Sequence, residues 1–176
     1  MRRGLLTGIL LAALLAVAGC DKDSDVGTRL TMTPLRYTVP AGLNPIQAHY
    51  LTLNDVPTEQ ARFTQETTVP WEDWTRVVPA RASLIITEPG LDWGFAEEVT
   101  LRVFTDEFAR PVEVFYRDQI PRDVGPRLDM IPGDLDVKPL LDGDDLSLQL
   151  EIRRLRGTTV QSLPVTLQWS FSGLRE

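Results

Sequence analysis

Residues Leu146-Ser147-Leu148-Gln149-Leu150-Glu151-Ile152-Arg153 alternate apolar and polar without a break. A strand turns successive side chains to opposite faces, so this spacing gives a sheet one greasy face and one wet one. On a helix the same leucines would scatter around the whole circumference. Leu146, Leu148, Leu150 and Ile152 are therefore expected inward, with serine, glutamine, glutamate and arginine outward. The same period recurs from Leu163 through Val165, Leu167 and Trp169 to Phe171. It recurs again where Val99, Leu101 and Val103 alternate with Thr100 and Arg102, and where Val112, Val114 and Tyr116 alternate with Glu113 and Arg117.

Nearer the start, Leu30 and Met32 occupy one parity and Leu35, Tyr37 and Val39 the other. A bulge at Pro34 on an edge strand reconciles the two halves. Gln47 to Leu53 and Ala82 to Glu88 read as weaker strands. Turn formers punctuate the chain at Pro40-Ala41-Gly42, Pro89-Gly90, Val124-Gly125-Pro126, Pro132-Gly133-Asp134 and Asp142-Gly143-Asp144-Asp145. No long stretch has a 3.6-residue period. Helix is expected only over Thr58 to Thr67, with Thr58 as N-cap ahead of Glu59-Gln60, and as one further turn over Trp71 to Arg76. The expectation is an all-β domain, residues 28–176: a single antiparallel β-sandwich of about seven or eight strands with one short helix, either immunoglobulin-like or a jelly roll. The cysteine pair of full immunoglobulin domains is missing. The length suffices for one domain with its own core.

Before the body comes Met1-Arg2-Arg3-Gly4, then an apolar run from Leu5 to Ala18 broken only by Thr7 and Gly8. At about 1.5 Å per residue such a run reaches about 20–24 Å, short of a hydrocarbon core of about 30 Å, and so fits a secretory signal better than a permanent span. Val17-Ala18-Gly19-Cys20 resembles the lipobox of bacterial lipoproteins. The resemblance implies cleavage between Gly19 and Cys20, a diacylglyceryl thioether on Cys20 and usually a third acyl chain, such as palmitate, on the new amino group. Each buried methylene contributes about 0.8 kcal/mol, so two or three chains make an anchor that needs no other membrane device. On this reading residues 1–19 are a removed signal peptide. Residues 20–27 are the lipidated cysteine and a polar tether, Asp21 to Gly27. An aspartate at Asp21 resembles the inner-membrane retention signal of enterobacterial lipoproteins, whereas Asp21-Lys22-Asp23 resembles the surface-export signal of Bacteroidetes-type ones. The expected location is the cell envelope, at the outer membrane on its periplasmic or outer face, with the inner membrane as the alternative. Val39 to Tyr50 also resembles a stretch of uncharacterised Bacteroidetes envelope lipoproteins, a resemblance that implies no activity.

Cys20 is the only cysteine, which excludes an intramolecular disulfide, thiol catalysis and cysteine-ligated zinc for the body. Eighteen basic residues face 25 acidic ones, a net charge of −7. Loss of Arg2 and Arg3 with the signal takes it to −9. A negative body disfavours nucleic acid and anionic lipid surfaces as partners. The basic residues are nearly all arginine, Lys22 and Lys138 excepted. No glycine-rich phosphate loop, nucleophile elbow or zinc signature is present.

Among individual residues, His49 is the sole histidine and stands at the entrance to a strand. Structural hydrogen bonding is its expected role, a ligand-binding or catalytic one the alternative. Trp71 and Trp74, with Glu72 and Asp73 between them, either close an end of the core or stack on sugar rings. Trp169 has core parity. Asp134, Asp136, Asp142, Asp144 and Asp145 lack the spacing of a calcium loop and read as turn chemistry. Glu88, Glu97 and Glu98 read as solvated surface rather than a glycosidase pair. Arg153, Arg154 and Arg156 end a strand, where they keep its edge soluble or meet an acidic partner or headgroups. No metal or cofactor is expected. The functional expectation is a lipid-anchored, non-enzymatic binding or scaffolding domain with an envelope protein as partner, or a glycan or small-ligand module using Trp71 and Trp74.

Overall fold

Alternating segments become strands wherever the sequence promised a one-sided sheet. The structure, a computed structural model, describes residues 27–107 and 110–175. The expected signal peptide, Gly19 and Cys20 at its expected cleavage site, and the expected tether up to residue 26 lie outside the described residues. In chain order the elements are β1 (Thr28–Thr31), β2 (Leu35–Val39), β3 (His49–Pro57), α1 (Gln60–Thr67), β4 (Arg76–Ile86), β5 (Ala96–Phe104), β6 (Val112–Arg117), β7 (Arg127–Pro132), the one-turn α2 (Lys138–Leu141), β8 (Asp145–Leu155) and β9 (Leu163–Leu174). Two 3-10 turns, Trp71–Asp73 and Trp93–Phe95, precede β4 and β5.

The nine strands among the described residues form one antiparallel sheet, curled like a half-barrel, in the order β1-β9-β4-β7-β6-β5-β8-β3, with β2 beside β1 on the same edge of β9. The pairing is nested. β2 lies on β9, β3 on β8, β4 on β7 and β5 on β6. Second contacts, β4 with β9 and β5 with β8, complete each half. The halves join at a seam of only two residue pairs, Phe115 with Pro132 and Tyr116 with Ile131.

The inner face of the curl holds the core. Leu146, Leu148, Leu150 and Ile152 are fully buried, as are Val99, Leu101 and Val103 from β5 and Val165, Leu167 and Phe171 from β9. Each such side chain contributes about 1.5–3 kcal/mol by leaving water. Phe115 of β6 meets Phe171 of β9 with ring centroids 6.2 Å apart, and Trp169 stands edge-on to Phe171 at 5.2 Å. Trp93 closes one end, donating its indole N–H to Leu84 O at 3.1 Å.

The parity switch near Pro34 is a strand break with a one-residue offset. Thr31 pairs with Ser170, but Leu35 pairs with Leu167, so four steps on the edge oppose three on β9. This is the edge bulge the sequence called for, and it buries Leu30 and Met32 together with Tyr37 and Val39. A second bulge was not foreseen. The β5–β6 register shifts between Leu101, opposite Phe115, and Arg102, opposite Glu113. Val114 and Phe115 are consequently both buried while Tyr116 is only half-buried.

Other boundaries move. β4 starts at Arg76, well before Ala82, and carries a register step between Pro79 and Arg81. β7 fills the stretch between two proline turns. The helix begins at Gln60, and Thr58 is not its cap. Glu59 occupies the cap position in the left-handed region with no side-chain cap bond. Thr58 is buried instead, donating its hydroxyl to Gly143 O at 2.6 Å and tying the helix entrance to the turn before β8. Glu151, expected in solvent, does lie on the outer face of β8 but is only 1% exposed.

Candidate functional site

The two tryptophans of the sequence reading part company. Trp71 opens the 3-10 turn and is partly buried. Its indole N–H donates to Asp142 Oδ1 at 2.7 Å, the same oxygen that Lys138 Nζ reaches at 3.0 Å. Lys138 Nζ also lies 5.5 Å from the Trp71 ring centroid, and Phe63 of α1 stacks at 6.5 Å. Trp71 thus pins α2 and α1 to the turn between them. Trp74 is 2% exposed and packs on the backbone of β9 at Gly173, where a Cβ would come within 2.6 Å of its ring. Only glycine leaves room for that indole. Trp74 therefore closes the core and offers no face to a sugar, so the pair is not a stacking platform. His49, half-buried on the edge strand β3, bonds through Nε2 to Asn44 O at 2.8 Å.

Three acids of the acidic run, Asp134, Asp136 and Asp142, are taken up by local structure. Asp134 pairs with Arg76 at 3.0 Å, and Asp136 accepts from the backbone N–H of Val77 and of Lys138 at 3.0 Å each. No group of three potential metal ligands is found among the described residues. The arginines ending β8 are engaged as well: Arg153 with Glu151, Arg154 with Glu98 at 2.8 Å and Arg156 with Glu97 at 3.3 Å. Arg156 also donates to the carbonyls of Gly94, Ala96 and Ile120. Glu151 accepts from Arg102, Arg153 and Tyr50. Burial pushes its carboxyl up, but those three donors outweigh burial and hold it below the usual glutamate value.

The outer face of the other half is arranged differently. Four strands, β1, β9, β4 and β7, surround a cleft of about 320 Å³. The ladder sets Thr31 beside Ser170 and Ser170 beside Arg81 in one row, and Gln168, Ser83 and Asp129 in the next. Arg29, Arg81 and Arg127 rim the cleft, and Ser83 and Ser170, both buried, belong to its floor. Ser83 Oγ donates to Asp129 Oδ1 at 2.6 Å, and Arg127 reaches Ser83 Oγ at 2.6 Å and Asp129 Oδ1 at 2.9 Å. The bond from Ser83, the Arg127 guanidinium and, least, the charge of Arg81 hold the Asp129 carboxyl below its ordinary range against the opposing effect of burial. Among the described residues, neither Arg29 nor Arg81 has a carboxylate within 4.0 Å. Three guanidinium groups thus face one carboxylate, a local excess of positive charge on an acidic chain.

Sequence reasoning missed this cleft, although each strand carries its part of the signal. Arg29 and Thr31, Arg81 and Ser83, Arg127 and Asp129, and Gln168 and Ser170 are each two residues apart and so share a face. No protein-family model matches the chain, and no curated protein matches it.

Proposed function

We propose that this chain is a lipid-anchored protein of the bacterial cell envelope, held through Cys20, whose β domain binds a partner rather than catalysing a reaction. The lipobox-like Val17-Ala18-Gly19-Cys20 supports the anchor. β1 starts eight residues after Cys20, so the domain sits close to its attachment point. The nested strand pairing supports a finer reading of the curled sheet as a jelly roll. In that fold an antiparallel ribbon wraps so that first strand meets last, and the two halves of the curl become the two layers of a sandwich.

The observation that carries the partner-binding reading is the polarity of the domain. β9 ends beside the start of β1 and begins at the opposite end of the sheet. At that far end lie the two most exposed large aliphatic side chains, Ile46 at 92% and Val160 at 91%. Their loops are tied together, Gly42 N–H to Thr159 O at 2.7 Å and Leu43 N–H to Thr159 Oγ1 at 3.1 Å. A domain attached at one end and presenting a rigid apolar tip at the other suits contact with a second envelope protein, whose effective concentration the shared membrane raises.

Two measurements test the two parts of this reading. Palmitate labelling of cells should mark the wild-type chain and not Cys20→Ala. A photocrosslinker at Val160 should then give one discrete envelope adduct that is lost with Ile46→Asp, while a crosslinker at Arg36 on β2 gives none. An unlabelled wild-type chain would refute the anchor, and indistinguishable patterns from Val160 and Arg36 would refute the tip.

A further inference from the structure

We propose that the arginine-rimmed cleft on the outer face of β1, β9, β4 and β7 is a binding site for a phosphate group. The inference stands independently of the anchor and of the apolar tip. Arg127 is locked by Ser83 and Asp129 and shapes one wall. Arg29 and Arg81 have no carboxylate within 4.0 Å among the described residues, although the charge of Arg81 acts on Asp129 from farther away, and they supply the charge that no ion pair holds. Guanidinium groups present paired N–H donors that match the oxygens of phosphate, and charge-assisted bonds of this kind are about twice as strong as neutral ones. Thr31, Ser170 and Gln168 add hydroxyl and amide donors from the same outer face. The excess of two positive charges in the cleft matches a phosphate monoester, which carries between one and two negative charges near neutral pH.

On the opposite half, Arg102 and Arg153 are both spent on Glu151. Arg154 of β8 has Glu98, and Arg156, just past its end, has Glu97. The chain carries seven more acids than bases, yet three arginines gather around this one small cleft with a single carboxylate beside them. Neighbouring guanidinium groups repel one another, and a bound oxyanion removes that repulsion.

The phosphate has two sources to distinguish, a soluble small molecule or a lipid headgroup. The test uses the full-length chain in neutral detergent at constant ionic strength. Inorganic phosphate and dihexanoyl phosphatidic acid below its micelle concentration are titrated separately. Binding is read from the amide resonances of Ser83 and Ser170 and the indole N–H of Trp169. Saturable shifts with inorganic phosphate support the site and a soluble source; saturation with the short-chain lipid alone supports the site and a headgroup source. Arg29→Gln and Arg81→Gln should each weaken binding by about tenfold, and Arg36→Gln, outside the cleft, should leave it unchanged. Urea unfolding of each variant verifies that it is folded. Linear, unsaturating shifts with both probes would overturn the proposal, as would wild-type affinity in the Arg29→Gln, Arg81→Gln double variant.

Discussion

The two outer faces of the curled sheet solve the same problem in opposite ways. Both carry arginines on central strands above a buried core. On the face of β5, β8 and β3 a carboxylate sits among them: Glu151 is 1% exposed and accepts from Arg102, Arg153 and Tyr50, so the cluster is closed. On the face of β1, β9, β4 and β7 the middle positions are serines, and Asp129, the only acid among the described residues of these strands, is already held by Ser83 and Arg127. Arg29 and Arg81 are left without an ion pair among the described residues. A cluster that satisfies itself can only support the fold, whereas one with donors in excess can take a ligand.

The sharpest way to break this contrast is to remove Glu151. Glu151→Ala takes the acceptor from two guanidinium groups and leaves a gap on the outer face. Charge-assisted bonds of this kind are worth about 1.5–3 kcal/mol each where desolvated. Arg153 is 48% exposed and Arg102 21% exposed, and both regain water, which lowers the expected loss to about 2 kcal/mol in total. Urea unfolding should show it as a lower midpoint with an unchanged slope. An unchanged midpoint would mean that the closed cluster is ornamental and the two faces are alike.

Acid should separate the faces next. The folded Glu151 carboxyl ionises below its ordinary value of 4.5, so its contribution is complete above that pH and is lost as pH falls through the depressed folded value. Asp129 behaves the same way below 3.8. As pH falls the wild type should therefore begin to lose stability first below about 4.5, from Glu151, and Glu151→Gln should flatten that part of the curve. Asp129→Asn should flatten only the part below 3.8. Stability measured against pH for the two variants decides it, and identical curves would erase the distinction.

Ser83→Ala comes third. Its hydroxyl donates to Asp129 and accepts from Arg127, and it is buried. Losing both bonds should cost about 1 kcal/mol and leave Arg127 held by Asp129 alone. The same variant should raise the Asp129 carboxyl toward its ordinary range, because the serine is the largest cause of its lowered value. NMR titration of the Asp129 carboxyl reads this directly.

The sequence made the core face legible wherever alternation was unbroken. β5, β8 and β9 appear in it almost residue for residue, because one buried face forces apolar side chains onto every second position. Legibility failed at irregularities. The register step at Pro79–Arg81 shifts the parity inside β4 and hides its first half. The bulge at Val114–Phe115 places on the core side an aromatic that simple alternation sends to solvent. β7 was concealed because proline stands at its end and just before its start, although Leu128 and Met130 alternate correctly between them. The arginine cleft was hidden for another reason. Its residues lie near positions 29, 81, 127 and 168, and only nested long-range pairing brings them together. Arg153-Arg154-Leu155-Arg156 caught attention by being contiguous, yet each of its arginines is already bonded within the domain. Glu151 shows the limit of period-two reading: it names the face a side chain occupies, not whether neighbours cover it.

The smallest expected effect carries the most weight. Arg29 and Arg81 are exposed and have no ion pair within 4.0 Å among the described residues. Arg29→Gln and Arg81→Gln should each change stability by no more than about 0.5 kcal/mol. At low ionic strength the sign should be stabilising, because each removes repulsion from the other guanidinium groups, and the gain should fade as salt screens them. Arg102→Gln, by contrast, leaves Glu151 short of a donor and should destabilise at every salt concentration. Unfolding curves for the three variants at low and high salt form the measurement. If Arg29→Gln and Arg81→Gln lose as much stability as Arg102→Gln, their guanidinium groups are structural after all and the open face is another closed one. If they are neutral or slightly stabilising, these two arginines are held in place by something other than the needs of the fold.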